Sequence, residues 1–256
     1  NDYNEILRQG TELWLSAQSS NTAGPNGQIS VSNFSVIWLE RHAFSRNEYS
    51  SAIKNKQHLS KHILPRIGKE TLSALSASQI DQMIYDIKIK WILKPKTLNN
   101  ILGTLRKMLN DAVKWRYLNI NPANQVEPIK LQVQEVTYFH HGEAIKLIET
   151  AKANFKHDYE VIHLALLTGC RLGELMALNW KKVNLDTKFV LINSTYDEAL
   201  KKIVQRTKGK RFRQVPLNSE ALKLLQKMSL DGRRLRSDLI FPDTHYRTVK
   251  DRFKRL

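Results

Sequence analysis

From Lys96 to Trp115 the apolar residues Leu98, Ile101, Leu102, Leu105, Met108, Leu109, Ala112 and Val113 recur at intervals of three and four, without a proline. That spacing lays one apolar stripe along a helix of about five turns, and such a stripe requires other elements to cover it. Three earlier stretches can supply the cover. Phe34, Ile37, Trp38 and His42 follow Ser32, an expected N-cap. Ser50 to His62 reads as a second helix, closed before Pro65 and Gly68. Ser76 caps a third, with Ile80, Met83, Ile84 and Ile87 on one face. Four helices joined by short turns enclose one core, and Asn121-Pro122 ends the unit.

Both flanks differ from this unit. Residues 4–17 carry Ile6, Leu7, Leu13 and Trp14 at helical spacing, and the stretch Ser19 to Gly27 is dense in turn formers. After the extended connector from Ala123 to Gln134 the pattern mixes helix and strand. Helices are expected at His141 to Lys152, Glu160 to Leu167, Leu172 to Leu178, Ser219 to Met228 and Thr248 to Leu256. Phe189 to Ile192 and Gln214 to Leu217 read as strands, with Gln205 to Phe212 between them as part of a strand-turn-strand segment around Gly209. The expected organisation is an N-terminal segment and linker (1–29), a helical domain (30–125), a linker (126–134) and a second domain (135–256). The fold class is mainly α with two domains: a helical bundle, then a mixed α/β domain with a small antiparallel sheet.

Charge narrows the partner. The 256 residues hold 41 Lys plus Arg against 24 Asp plus Glu, a formal net charge of +17. The excess is shared: residues 30–125 have 15 basic and 6 acidic side chains, residues 135–256 have 24 and 14. Two basic lobes suit a polyanion such as duplex DNA, whose phosphates supply most non-specific affinity. A lysine-rich surface serving only solubility would have the same composition. No apolar run approaches the roughly 18 residues of a membrane span. The single cysteine, Cys170, excludes an intrachain disulfide, and no compact ligand cluster suggests a metal. We expect a cytoplasmic protein without a cofactor or a membrane partner.

Two segments could carry chemistry. In Thr168-Gly169-Cys170-Arg171-Leu172-Gly173-Glu174-Leu175, Arg171 sits where a turn enters a helix, with Glu174 one turn on. A guanidinium fixed there can donate two parallel hydrogen bonds to a phosphate; equally, the pair could only stabilise the helix start. In the second segment, five of the eight residues from Arg206 to Arg213 are basic. Lys208 could deliver a proton to a leaving oxygen, and Lys210, Arg211 and Arg213 could contact phosphates, or the whole could be a solvated loop. In the helical domain, Lys88, Lys90, Lys94 and Lys96 surround Trp91, and Asn99, Asn100 and Arg106 are candidates for contacts to DNA from the long helix.

The first segment, continued by Leu178-Asn179-Trp180, resembles the first catalytic box of the tyrosine recombinases, the phage integrase family. Lys208 with the basic residues after it, then Val215-Pro216-Leu217, resembles that family's β-hairpin lysine segment and following strand. The helical unit ending at Ile120-Asn121-Pro122-Ala123, with Leu64-Pro65-Arg66-Ile67-Gly68 inside it, is similar to the family's core-binding domain. The resemblance spans roughly residues 30–256. It implies a clamp on duplex DNA and a metal-free phosphoryl transfer, in which a tyrosine forms a 3′-phosphotyrosyl bond and releases a 5′-hydroxyl. In that scheme Arg171 meets the charge on the nonbridging oxygens, Lys208 is the acid for the leaving oxygen, and Glu174 supports the arginine.

The family's His-x-x-Arg box and tyrosine have no counterpart here, and Tyr246 in His245-Tyr246-Arg247 has the wrong spacing. The expectation is therefore a recombinase or integrase of a mobile element in the full-length protein, homotetrameric on DNA. This chain is expected to be a monomer when free and to bind DNA without cleaving it. A non-enzymatic DNA-binding protein, or a decayed integrase, is the alternative.

Overall fold

The structure is a computed structural model that describes residues 28–46, 49–132, 135, 137–155, 158–205, 212–232 and 238–256, without the side chains of residues 42–50. The chain forms two compact units, residues 1–134 and 135–256.

The first unit is built from α1 (Val31–Arg46), α2 (Tyr49–His58), a π-turn (Leu59–Ile63), α3 (Leu64–Ile67), α4 (Ala77–Trp91) and α5 (Pro95–Lys114). The α5 stripe is buried as its spacing requires, from Leu98 to Ala112. Against it pack Phe34 and Trp38 of α1, Leu59 and Ile63 of the π-turn, and Ile80, Met83, Ile84 and Ile87 of α4. Trp38 keeps its indole N–H satisfied inside this core by donating to Asp111 Oδ2 at 2.8 Å. Pro95 opens α5, where a missing N–H costs nothing. Ser76 starts α4 with a reciprocal cap: Gln79 N–H donates to Ser76 Oγ, and Ser76 N–H to Gln79 Oε1.

Two boundaries differ from the sequence reading. The hydroxyl that caps α1 belongs to Ser30, which accepts from Asn33 N–H at 3.2 Å, and Ser32 lies within the helix. The second helix does not close before Pro65. It passes through the π-turn, which seats Pro65 in the first turn of α3, where its absent N–H is tolerated, and the path ends at Gly68.

Among the described residues, the second unit comprises α6 (His141–Asn154), α7 (Tyr159–Thr168), α8 (Leu172–Met176), α9 (Ser219–Leu230) and α10 (Tyr246–Phe253), with five short strands. The strands are β1 (Val183–Asn184), β2 (Phe189–Ile192), β3 (Thr195–Asp197), β4 (Lys202–Val204) and β5 (Arg213–Pro216). Its core joins Val161, Ile162 and Leu164 of α7, Val190 and Ile192 of β2, Leu224, Leu225 and Met228 of α9, and Val249 of α10.

The strands flanking the basic segment are not partners. One antiparallel sheet has the order β1-β2-β5, with Val190 opposite Val215 and Ile192 opposite Arg213; β4 pairs instead with β3 in a separate ribbon. The last helix starts two residues earlier than the apolar spacing suggests, so Tyr246 is its first residue. No described helix is long and apolar enough to cross a membrane.

Candidate phosphate-binding site

The site begins where α7 stops. Gly169 takes a left-handed conformation (φ 62°), and its N–H closes on Ala165 O at 2.9 Å. Thr168 Oγ donates to Leu164 O and accepts from Cys170 N–H, which fixes the turn. Cys170 is buried, and that burial pushes its thiol pKa up, so it is a packing residue rather than a nucleophile. Arg171 then lies extended at φ −70° and ψ 147°, immediately before α8.

Glu174, inside α8, draws two arginines together. Its side chain is 1% exposed, yet its carboxylate receives four hydrogen bonds. Arg171 contributes its backbone N–H to Oε2 at 2.9 Å and Nη1 to Oε1 at 3.2 Å. Arg213 adds a two-pronged pair, Nη1 to Oε1 at 2.9 Å and Nη2 to Oε2 at 2.6 Å. Burial alone would raise the Glu174 pKa, but the bonds from Arg213 and the Arg171 N–H outweigh it and hold the carboxyl below its ordinary value. The same contact raises the Arg213 pKa, so both partners stay charged.

The two arginines are therefore unequal. Both terminal nitrogens of Arg213 are committed to Glu174. Arg171 is 62% exposed and spends only Nη1 on the carboxylate; among the described residues its Nε and Nη2 have no partner. That leaves an oriented, exposed fork of donors, suited to a tetrahedral oxyanion.

A small residue lets the neighbouring ribbon close on this helix. A Cβ at Gly173 would stand 2.6 Å from Thr195 Oγ1 and 3.1 Å from Tyr196 O, so only glycine permits α8 to approach β3 this closely. Beyond α8, Lys182 Nζ donates to the buried Ser194 Oγ at 2.9 Å, and its burial lowers the ammonium pKa. Tyr246 packs against Tyr196, ring centroids 5.9 Å apart, and the adjacent Arg247 pairs with Glu198 at 3.5 Å. Arg252 of α10 pairs with the buried Asp158 and covers the Phe155 ring.

Of the residues singled out from sequence, the structure brings together Arg171, Glu174 and Arg213. Lys208, Lys210 and Arg211 lie outside the described residues. Arg213, expected as a phosphate contact, pairs with Glu174. It faces inward on β5 with Val215, a period-two pattern that is visible in Arg213-Gln214-Val215-Pro216.

In the first unit, two of the residues expected to contact DNA have backbone partners within the unit. Asn99 closes a double hydrogen bond with the backbone of Ile129, at 2.8 and 2.9 Å. Arg106 donates to the carbonyls of Ala123 and Val126. Both tie the outgoing chain to α5, which satisfies carbonyls that apolar packing would otherwise strand. Asn100 remains exposed, as do Lys88, Lys90, Lys94 and Lys96. Sequence reasoning missed these ties because the partners lie 17 to 30 residues away.

The phage integrase family model matches residues 137–256. The ICEBs1 integrase of Bacillus subtilis is 32% identical over 141 residues, 53% of this chain and 37% of that protein. An integrase of Saccharopolyspora erythraea is 24% identical over 184 residues, 72% of this chain and 42% of that protein. The chain thus spans well under half the length of these relatives. Among solved structures, a lambda integrase tetramer bound to a Holliday junction superposes with a TM-score of 0.70 at 16% identity, covering 94% of this chain and 65% of that one. The Tn1549 transposon integrase in complex with a circular intermediate DNA gives 0.66 at 16% identity, covering 79% and 66%. Fold, arginine turn and family match agree: residues 137–256 belong to the phage integrase family, the tyrosine recombinases.

Proposed function

We propose that this chain is the duplex-binding, phosphate-holding part of a site-specific recombinase of a mobile element. The full-length protein would cut and rejoin DNA through a 3′-phosphotyrosyl intermediate. The observation that carries this reading is Arg171: a guanidinium held at a helix start by a buried carboxylate, with two nitrogens left for another oxyanion. In the transfer, a tyrosine hydroxyl attacks phosphorus, the bond to the 5′-oxygen breaks, and that oxygen takes a proton. Arg171 meets the charge gathering on the nonbridging oxygens. Lys208 is the proposed proton donor to the 5′-oxygen, and Glu174 with Arg213 keeps the Arg171 fork in place.

Tyr246, which opens α10 against Tyr196, is not the proposed nucleophile. On a suicide DNA substrate this chain is expected to bind without forming a covalent adduct, read on a denaturing gel. Lys88, Lys90, Lys94, Lys96 and Asn100 are the proposed contacts from the first unit, and residues 30–125 the proposed core-binding domain. The lambda integrase tetramer supports a tetramer of the full-length protein on DNA, with this chain a monomer when free.

The decisive measurement is duplex binding by fluorescence anisotropy across a salt series. Loss of the Arg171 phosphate contact in Arg171→Ala should flatten the slope of log K against log salt by about 0.9. An unchanged slope would remove Arg171 from the phosphate.

A further inference from the structure

The C-terminal end of α4 is unfavourable as it stands. Ile92 ends the helix at φ 47° and ψ 44°, a left-handed conformation that a β-branched side chain resists, and it is 92% exposed. The other described non-glycine residues with positive φ are Arg116, Lys188 and Lys201, polar residues in turns. Glycine or asparagine would end the helix without strain and without an exposed branched chain. Ile92 also continues a stripe, since Tyr85 is 58% and Ile89 is 63% exposed at helical spacing before it. Beside them Pro65 and Arg66 with Tyr85, Asp86, Ile89 and Lys90 line an open groove of about 490 Å³. Lys88, Lys90, Lys94 and Lys96 flank the Ile89 and Ile92 end of this strip with positive charge, where no acidic residue falls between residues 88 and 96; Asp86 lies toward the Tyr85 end.

We propose that residues 4–17 of the same chain dock on this stripe. In that stretch Ile6, Leu7, Leu13 and Trp14 fall on one helical face, seven residues apart in pairs. Its charge is opposite to that of the site: Glu5 and Glu12, with Asp2 just before them, against Arg8 alone, in a chain of net charge +17. The connection is long enough. Ile29 and Ser30 are held beside Thr71 and Leu72, just before α4 begins at Ala77. Fifteen helical residues carry α4 about 22 Å from there, and the ten residues 18–27 reach up to ~33 Å. Docking would cover Ile92 and Ile89 with Leu13 and Trp14 and bring Glu5 and Glu12 to the lysines. The same lysines are the DNA contacts proposed above, so docking and duplex binding would compete for them, and the docking is tested without DNA.

Zero-length carbodiimide crosslinking of the intact chain tests it, because that chemistry joins a carboxylate to an amine only where they touch. An equal mixture of light and ¹⁵N-labelled chain separates contacts within a molecule from contacts between molecules. The expected result is amide links from Asp2, Glu5 or Glu12 to Lys88, Lys90, Lys94 or Lys96 within single isotope chains, lost in Ile89→Asp/Ile92→Asp. Absence of these links overturns the proposal. Mixed-isotope links would give the stripe to a second copy and overturn it too. Links that survive the double substitution would reduce the contact to charge attraction and reject apolar docking.

Discussion

The two units use their buried polar groups in opposite ways. In the first, polar side chains close on the chain itself: Trp38 on Asp111, Asn99 on Ile129, Arg106 on the carbonyls of Ala123 and Val126. In the second, a carboxylate is buried so that a cation can stay outside. Glu174 takes all that Arg213 offers at its terminal nitrogens but only part of Arg171. A scaffold satisfies its donors internally, whereas a binding site keeps one satisfied enough to be oriented and free enough to bind. The contrast teaches that Arg171 is marked less by its charge than by an exposed guanidinium held on a carboxylate that is itself buried.

Substitutions can break that contrast. The largest effect is expected from Arg213→Ala, which leaves the Glu174 carboxylate buried with Arg171 alone and should cost about 3 kcal/mol, read by urea unfolding. Its pH dependence follows from the same pair. The Glu174 pKa is depressed in the folded state, so its contribution to stability is present above its unfolded value and is lost as pH falls through the folded one. Arg213→Ala removes most of that depression, and the acid loss should begin at higher pH. Gly173→Ala should cost about 1–3 kcal/mol, because Thr195 and the Tyr196 carbonyl must give way. Asn99→Ala is expected to cost about 1 kcal/mol and to speed amide exchange at Ile129, while sequence preference in DNA binding is unchanged. A changed preference with unchanged stability would return Asn99 to the bases. The smallest stability effect, within about 0.5 kcal/mol, belongs to Arg171→Lys, which nonetheless should weaken duplex binding because an ammonium cannot reproduce the fork.

The helices of the first unit were legible where burial imposes a period: the α4 face matches residue for residue, and the α5 stripe does so from Leu98 to Ala112, with Val113 only half-buried. The π-turn was not, since nothing in Leu59 to Ile63 departs from an ordinary helical pattern and the extra residue per turn is a tertiary accommodation. Within the site, Arg171 and Glu174 were legible because they are three residues apart on one turn. Arg213 was noticed for its charge, but its partner, 39 residues earlier in sequence, depends on β5 pairing with β2 rather than with β4. The backbone ties of Asn99 and Arg106 were not legible because a polar residue on an amphipathic helix looks the same whether it meets solvent, DNA or a passing carbonyl.

The strand arrangement has a practical consequence. On one side of residues 206–211, β4 pairs with β3, which abuts Gly173; on the other, Arg213 is bolted to Glu174. Both shores of that stretch are moored to the same five-residue helix. The number of residues between these two fixed shores therefore has little bearing on the Arg171 turn. Doubling it costs only ~0.6 kcal/mol of closure entropy, so a reporter peptide or an altered basic sequence could be spliced there while the Arg171 turn keeps its shape.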